Sequence, residues 1–333
     1  MKNNLNYAVI GSGSWATAIV KILSDNLKSV TWYIRNAENL DYIKKNKHNP
    51  NYLSSVELNL SKIQVNGNIN EVVRTADVII LVVPSEFINS ELEKIKIDIS
   101  KKIIISGIKG VVPETGLLVG EHMINNFNIL NENFLVIAGP CHAEEVALER
   151  LSYLTIACSK KSLAKTVCLD FSNKYIKTKV SDDVIGIEYS SMLKNIYAIA
   201  AGIAHGLGYG DNFQSILMSN AIREIKRFIK KKYKIKRNIN HSAYLGDLLV
   251  TGYSVFSRNR MFGNMIGKGY TVKSAQMEMK MIAEGYISTK KAMQLNAKNI
   301  KKAKTPIIEA VHAILYEKKN PKNTFKKLNE KLN

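Results

Sequence analysis

The chain has 333 residues, of which 46% are hydrophobic and 23% are charged, a balance typical of a globular protein with a large core and room for two domains. Its best apolar run, Val78–Val83, has the length of a strand, so we expect no membrane insertion. The three cysteines lack paired or metal-ligand spacing and no signal peptide is evident, so we expect a cytoplasmic protein without disulfides or a metal site.

The formal net charge of +20 has two interpretations. A basic surface can bind nucleic acid or another polyanion, and the densest cluster of basic residues lies between Lys226 and Arg237. The excess of lysine accompanies abundant asparagine and isoleucine, which favours a general drift in residue usage and a solvated helix face. We therefore expect no nucleic-acid partner, although a positive field would attract a phosphorylated substrate and cofactor.

The first element is a short buried strand, Leu5–Ile10, which leads through a glycine turn into a helical pattern. The order of strand, glycine turn and helix is typical of a site for the pyrophosphate of a dinucleotide. Gly11 permits the tight turn, and Gly13 lets the backbone approach the phosphates. Ala16 replaces the third glycine and still permits close packing of helix and strand. The helix N-terminus then offers free N–H groups to the anion.

Six further strand-like runs follow, separated by helical stretches. Several are continuous in Val, Ile and Leu, as expected of parallel strands that are covered on both faces. The pattern predicts an α/β fold with a Rossmann-type, doubly wound sheet. The six runs are Val30–Ile34, Val78–Val83, Lys102–Ser106, Phe134–Ala138, Tyr153–Ala157 and Tyr175–Lys179.

Two basic residues follow predicted strands, where open α/β sheets bind their ligands. Arg35 stands where NAD-binding domains usually place an acid, and an arginine there suits the 2′-phosphate of NADP(H); the alternative is an arginine on a loop. Lys109 lies between Gly107 and Gly110 after a strand, so its ammonium would reach into the ligand crevice unless it is a surface turn lysine.

After about Ser181 the pattern becomes helical, and no further strand is evident. We therefore expect a dinucleotide-binding domain at 1–180 and an all-helical, substrate-binding domain at 181–333. We expect the Lys- and Asn-rich segment after Glu317 to fray. Helical patterns cover 185–203, Ile216–Lys231, Ala243–Val250, Ala275–Glu284, Thr289–Lys298 and Pro306–Tyr316.

Lys194 is the candidate catalytic residue. Its neighbours on the same helix face are mostly small and uncharged, among them Ser190, Ser191 and Ala198, which leaves room for a ligand. A half-buried lysine there would have a lowered pKa and could exchange a proton near neutral pH. The alternative is a lysine that snorkels at the helix edge.

Two further segments offer polar groups for a substrate. Asp247 precedes an apolar run, where it is either a helix N-cap or a functional acid. Ser257, Arg258 and Asn259 follow ten residues later and together form a natural clamp for a phosphate or hydroxyl, since arginine offers a planar fork of donors.

From Tyr7 to about Tyr316 the chain resembles bacterial NAD(P)-dependent glycerol-3-phosphate dehydrogenases. Any one of the shared motifs is modest evidence, but all eight in the right order are very specific. The motifs are Gly-Ser-Gly-Ser-Trp-Ala, Val-Val-Pro-Ser, Ile-Lys-Gly, Gly-Pro-Cys-His-Ala-Glu-Glu, Leu-Lys-Asn-Ile-Tyr-Ala-Ile-Ala-Ala-Gly, Leu-Gly-Asp-Leu, Ser-Arg-Asn-Arg and Ala-Glu-Gly-Tyr.

The resemblance implies a role for each matching residue. With the glycines of the turn, NADP(H) or NAD(H) would be bound by Gly11, Gly13, Ser14, Trp15, Arg35, Lys109, Ala143, Arg258, Ile282 and Glu284. The substrate would be contacted by Lys109, Gly139, Cys141, Lys194, Asp247, Ser257, Arg258 and Asn259. Lys194 would transfer the proton.

The resemblance further implies reversible reduction of dihydroxyacetone phosphate to sn-glycerol 3-phosphate, which feeds phospholipid synthesis. A homodimer is the candidate assembly, although the sequence does not give the oligomeric state. Cys141 stands where many members have Thr or Ser, which would replace a hydroxyl contact by a backbone one. Arg35 stands where others carry His or Arg, so the choice between NADH and NADPH stays open. The remaining alternatives are another two-domain dehydrogenase with a different substrate and a polyanion-binding protein built on the same fold.

Overall fold

The structure, a computed structural model, describes residues 5–233, 235–279, 283–298 and 301–333. The chain divides into two compact units. The sheet unit comprises Met1–Ile108 and Val112–Val184, and the helical unit comprises Lys109–Val111 and Ile185–Asn333. Across the described ranges, no helix combines the length and apolar character needed to cross a membrane.

The sheet unit is built on one eight-stranded sheet in the order β3-β2-β1-β4-β5-β6-β7-β8. Neighbouring strands pair in parallel except β6 and β7, which are antiparallel. Helices separate the strands along the chain, so the predicted doubly wound α/β fold is confirmed. The strands are β1 (Tyr7–Ile10), β2 (Val30–Tyr33), β3 (Ile63–Asn66), β4 (Val78–Leu81), β5 (Ile103–Ser106), β6 (Phe134–Ala138), β7 (Ser152–Ala157) and β8 (Ile176–Ser181).

Within the described residues, seven α-helices accompany the sheet. The first of them, α1, follows β1 after only three residues, and it buries Ile19, Ile22 and Leu23 in the core. This tight connection fixes the glycine turn at the carboxyl end of the central strand. The helices are α1 (Ser14–Asn26), α2 (Ala37–Asn46), α3 (Ile69–Thr75), α4 (Ile88–Leu92), α5 (Val119–Phe127), α6 (Ala143–Ala147) and α7 (Lys161–Phe171).

Two features of the sheet differ from the prediction. The strand β3, Ile-Gln-Val-Asn, was not predicted; it lies at the sheet edge with only Ile63 buried, so it lacks the continuous apolar run of the central strands. The strand β7 reverses direction against β6, and a pattern of apolar residues carries no information about strand direction. The seven predicted strands are present, with ends shifted by at most two residues.

The helical unit is centred on α8 (Val184–Gly206), in which every residue from Gly186 to Ala204 is buried. A helix that is apolar on all sides is expected at the centre of a bundle. The remaining helices are α9 (Asp211–Lys232), α10 (Asp247–Tyr253), α11 (Arg258–Gly267), α12 (Val272–Glu278), α13 (Glu284–Ala297), α14 (Pro306–Tyr316) and α15 (Pro321–Asn329).

The helical unit contains no strand among its described residues, as predicted. The prediction of a fraying tail was wrong, because α15 buries Phe325 and Leu328 completely. The helix expected at Ala275–Glu284 is also different: α12 ends at Glu278, and α13 begins at Glu284. The helix α11 was not predicted.

The helices α8 and α11 cross so closely that their backbones are in direct contact. A Cβ atom on Gly202 of α8 would lie 2.0 Å from the carbonyl oxygen of Arg260 on α11. In the reverse direction, a Cβ on Gly263 would lie 2.1 Å from the carbonyl oxygen of Ile199. Real Cβ atoms never approach a backbone oxygen so closely, so only glycine permits this crossing.

Candidate active site

The predicted glycine turn forms an open cradle at the start of α1. Gly11 has a φ of +132°, and a Cβ there would lie 2.5 Å from the carbonyl oxygen of Val82, so only glycine fits. Gly13 is the N-cap of α1, and a Cβ atom added to Gly13 would have no atom within 4 Å beyond Gly13 itself and its chain neighbours. No side chain caps the helix, whose first residue is Ser14. A helix start without a side-chain cap, next to open space at Gly13, fits the pyrophosphate of a dinucleotide.

Two side chains outside the turn hold its backbone in place. The indole Nε1 of Trp32 donates to the carbonyl of Gly11 at 2.6 Å. The buried Asn49 donates from Nδ2 to the carbonyl of Ser12 at 3.0 Å and to Oγ1 of Thr17 at 2.9 Å. Neither residue was predicted, since neither lies near the turn in the chain and neither carries a motif.

Beside the turn lies a cavity of about 170 Å³, which we call the ribose cavity after the part of a dinucleotide expected there. It is lined by the residues Gly11, Ser12, Gly13, Tyr33, Arg35, Tyr52, Val83, Pro84, Phe87 and Glu91. The predicted Arg35 is thus at the cavity wall, where its guanidinium donates from Nη1 to Oε1 of Glu91 at 2.9 Å. Lys94 donates to the same oxygen at 2.8 Å.

The carboxylate of Glu91 is buried, with only 6% of its side chain exposed, whereas the side chain of Arg35 is 59% exposed. The pKa of the Tyr33 hydroxyl, in the same wall, is raised mainly by burial and to a smaller extent by the nearby Glu91 charge. The Arg35 charge opposes this shift. Glu91 was not predicted as a site residue, because it lies 56 positions from Arg35 on the short helix α4.

The remaining predicted residues of the sheet unit lie after β5 and β6. Trp15 is partly buried against Gly107, where a Cβ would lie 2.9 Å from the indole Nε1. Gly139 follows β6 with a φ of +128°, and the buried Cys141 donates its thiol to the Gly139 carbonyl at 3.1 Å. Ala143 is the first residue of α6 and is also buried.

In the helical unit, Lys194 and Asp247 form a buried ion pair between Nζ and Oδ1, with 3% of each side chain exposed. The sequence predicted a half-buried lysine, and the structure buries it completely because α8 is covered on all sides. Asp247 begins α10 directly after the π-helical turn Ser242–Gly246, a distortion that is frequent at functional sites. The second carboxylate oxygen, Oδ2, and the buried Oγ of Ser191 accept or donate no hydrogen bond among the described residues.

Lys109 belongs to the helical unit, although it follows β5 in the chain. Its carbonyl accepts a hydrogen bond at 3.3 Å from Nδ2 of Asn195, the neighbour of Lys194 on α8. The side chain of Lys109 is partly exposed. Lys109 was a predicted site residue, whereas Asn195 was not, because its hydrogen bond to this segment exists only in the folded chain.

The Ser-Arg-Asn segment forms the N-terminus of α11. Ser257 is the N-cap and accepts a hydrogen bond from the Arg260 N–H at 3.3 Å, while Arg258 is exposed at the first helical position. Asn259 is buried, and its Oδ1 accepts from the Gly285 N–H at 2.8 Å. This bond ties α11 to the start of α13, where Glu284 is the first residue. Ile282 lies outside the described residues.

A second buried carboxylate supports the helix of Lys194. Glu224 is fully buried on α9 and accepts a hydrogen bond from the Tyr197 hydroxyl at 3.3 Å and from the Ile307 N–H at 2.6 Å. Burial raises its pKa to about 8, although the N–H groups of Ile307 and Ile308 oppose the shift. Nothing in the sequence around Glu224 predicted this link between α8, α9 and α14.

The predicted residues therefore form two groups. The first surrounds the glycine turn and the strand ends of the sheet unit. The second lies within the helical unit around the Lys194–Asp247 pair and the N-terminus of α11. No group of three or more His, Cys, Asp or Glu side chains within the described ranges is arranged to hold a metal ion.

Comparisons with known proteins match most of the chain to one family. The family profile for the NAD-dependent glycerol-3-phosphate dehydrogenase N-terminus matches residues 6–164, and that for the C-terminus matches residues 183–326. The glycerol-3-phosphate dehydrogenase [NAD(P)+] of Bacillus velezensis is 37% identical over 93% of this chain and 89% of its own length. The enzyme of that name from Bacillus subtilis is 36% identical over 92% of this chain and 89% of its own length.

Solved structures agree with this result. The crystal structure of glycerol-3-phosphate dehydrogenase from Coxiella burnetii superposes with a TM-score of 0.90 at 26% identity, and the match covers 98% of this chain and 99% of that one. The predicted resemblance is thereby confirmed: this chain belongs to the NAD-dependent glycerol-3-phosphate dehydrogenase family.

Proposed function

We propose that this chain catalyses the reversible NAD(P)H-dependent reduction of dihydroxyacetone phosphate to sn-glycerol 3-phosphate, in the cytoplasm and in support of phospholipid synthesis. The observation that carries the proposal is the buried ion pair of Lys194 and Asp247 in the helical unit. A lysine buried in this way is placed for proton transfer, not for solvation. The family supplies the reaction in which such a proton is needed.

The sheet unit would hold the cofactor. The cradle of Gly11 and Gly13 with the start of α1 would bind the pyrophosphate, together with Ser14 and Trp15. Arg35 would meet the adenosine ribose in the ribose cavity. Ala143, Lys109, Arg258, Ile282 and Glu284 remain proposed cofactor contacts. When bound, the nicotinamide supplies or accepts the hydride.

Lys194 would supply the proton. In the direction of reduction, negative charge develops on the carbonyl oxygen of the substrate, and the Lys194 ammonium would stabilise it and donate its proton. In the reverse direction the neutral amine would take the proton from the hydroxyl. Asp247 would fix Lys194 through Oδ1, and its buried Oδ2, which has no hydrogen-bond partner among the described residues, would orient a substrate hydroxyl.

The phosphate would bind at the N-terminus of α11. Arg258 is exposed there and offers a planar fork of donors, and the ten-residue helix contributes its dipole. Because Oδ1 of Asn259 is engaged by Gly285, the amide group that remains for a ligand is the donor Nδ2. Ser257, Lys109, Gly139 and Cys141 are further proposed substrate contacts. We propose that the domains expected at 1–180 and 181–333 carry the two roles, and that the active protein is a homodimer.

The experiment is an initial-rate assay that follows the absorbance of NADH or NADPH. We expect saturable oxidation with dihydroxyacetone phosphate and little with dihydroxyacetone, which lacks the phosphate. The variant Arg258→Gln should raise the KM for dihydroxyacetone phosphate, while Arg260→Gln, on the same helix, should leave it close to that of the parent. Turnover of other hydroxy acids or sugars, but not of dihydroxyacetone phosphate, would indicate a different dehydrogenase. Salt-sensitive nucleic-acid binding without turnover would indicate a polyanion-binding protein.

A further inference from the structure

The ribose cavity contains an acid that the fingerprint of a dinucleotide-binding domain does not place there. In that fingerprint, the carboxylate for the ribose 2′-hydroxyl stands at the end of the second strand. Here Arg35 stands two residues after the end of β2, and the carboxylate comes instead from Glu91 on α4, a wall residue of the same cavity. The cavity wall therefore carries both a cation, Arg35, and an anion, Glu91, where the ribose 2′ position would lie, at which NAD(H) has a hydroxyl and NADP(H) a phosphate.

Glu91 has acceptor capacity that the fold does not use. Its Oε1 accepts from both Arg35 and Lys94, whereas its Oε2 is buried without a hydrogen-bond partner among the described residues. A buried acceptor without a donor is costly, so a ligand that brings a donor is favoured at this wall. A ribose hydroxyl is such a donor, and a phosphate group is not.

Glu91 also competes with a phosphate for the guanidinium of Arg35. One Nη1–H of Arg35 is already directed at Oε1, and the carboxylate charge lies within hydrogen-bonding distance of the group that would neutralise a 2′-phosphate. Two anions that share one cation repel each other, and the separation of a few ångströms makes this repulsion substantial near a protein surface.

We propose that Glu91 is a specificity-determining residue that shifts the cofactor preference of this protein toward NAD(H) and away from NADP(H). The inference rests on the proposed function, since it requires that the ribose cavity binds the adenosine end of the cofactor. Lys94 sets the strength of the effect, because it shares Oε1 with Arg35 and partly neutralises the carboxylate.

The test is calorimetric binding of NAD+ and NADP+, without substrate or turnover, to the parent and to Glu91→Gln. The amide keeps the shape and removes the charge. We expect the Kd for NADP+ to fall and the Kd for NAD+ to rise, so that the ratio of the two changes by about tenfold or more toward NADP+. Glu93→Gln, an exposed acid two residues later, should leave the ratio unchanged within about twofold.

Three outcomes contradict the inference. An unchanged ratio in Glu91→Gln would remove any role in selection, and a selective loss of NADP+ binding would show that Glu91 instead positions Arg35 for the phosphate. Should Glu91→Gln fail to fold, Lys94→Gln provides a second test with the opposite expected result. This variant removes the ammonium that partly neutralises Glu91, so NADP+ binding should weaken relative to NAD+ binding. A shift of the preference toward NADP+ would overturn the inference. A parent that binds neither dinucleotide would refute the proposed function itself.

Discussion

The buried pair of Lys194 and Asp247 permits a test in which stability and activity respond differently to the same substitutions. Lys194→Met removes the ammonium at nearly constant volume and leaves the Asp247 carboxylate buried without its counter-charge. Breaking such a pair by removal of one partner costs about 3–5 kcal/mol. At about 2–4 °C per kcal/mol for a domain of this size, the melting temperature should fall by about 6–20 °C.

The double variant Lys194→Met/Asp247→Leu should recover most of that loss. Replacement of a buried ion pair by apolar side chains of similar volume is often neutral for stability. The Oδ2 of Asp247 accepts no hydrogen bond from the described residues, so its removal leaves no new unpaired donor there. Turnover behaves differently, because neither variant can deliver a proton, and both should be slower than the parent by about 10²–10⁴.

The assay combines thermal melting with initial rates of NAD(P)H oxidation by dihydroxyacetone phosphate. Lys230→Met, an exposed lysine on α9, is the matched control and should change neither quantity. Activity of Lys194→Met within a few-fold of the parent would refute the role of Lys194 in proton transfer. Equal melting temperatures for the single and double variants would refute the argument that the uncompensated carboxylate is the source of the destabilisation.

Two further predictions follow from the glycine turn and from the carboxylate under α8. Gly11→Ala should abolish dinucleotide binding in a calorimetric titration, because its Cβ would collide with the Val82 carbonyl; binding at parental affinity would contradict the cradle. Burial raises the pKa of Glu224 to about 8 from 4.5, so the folded protein binds a proton that the unfolded chain releases. The stability that this proton contributes is complete below pH 4.5 and is lost as the pH rises to about 8. The melting temperature of Glu224→Gln should therefore fall less than that of the parent over this interval, and parallel curves would contradict the prediction.

The central sheet could be predicted from the sequence because β1, β4 and β6 are continuous apolar runs, which a sheet covered on both faces buries. The edge strand β3 could not, since Gln64 and Asn66 interrupt it. The signals for α15 were present in Asn320 at the N-cap and Pro321 at the first position, but the lysine-rich composition concealed them.

The site was predictable where one segment carries the chemistry and not where distant segments meet. Gly11, Gly13 and the Ser257–Asn259 segment are local motifs whose spacing alone indicates an anion site. Glu91 and Asn49 act on Arg35 and on the glycine turn from 56 and 37 residues away, through contacts that only the folded chain creates. Burial of Lys194 likewise depends on helices that are distant in the chain.

The crossing of α8 and α11 at Gly202 and Gly263 has a consequence for how this enzyme can change. One helix carries the proposed proton donor, Lys194, and the other begins with the proposed phosphate clamp. At the crossing their separation is set by main-chain atoms in direct contact, with no side chain whose size could adjust it. Directed evolution toward longer or shorter phosphate esters is therefore blocked at the crossing itself. Adaptive substitutions should accumulate away from the crossing, for example in the turn Ser242–Gly246 that precedes Asp247.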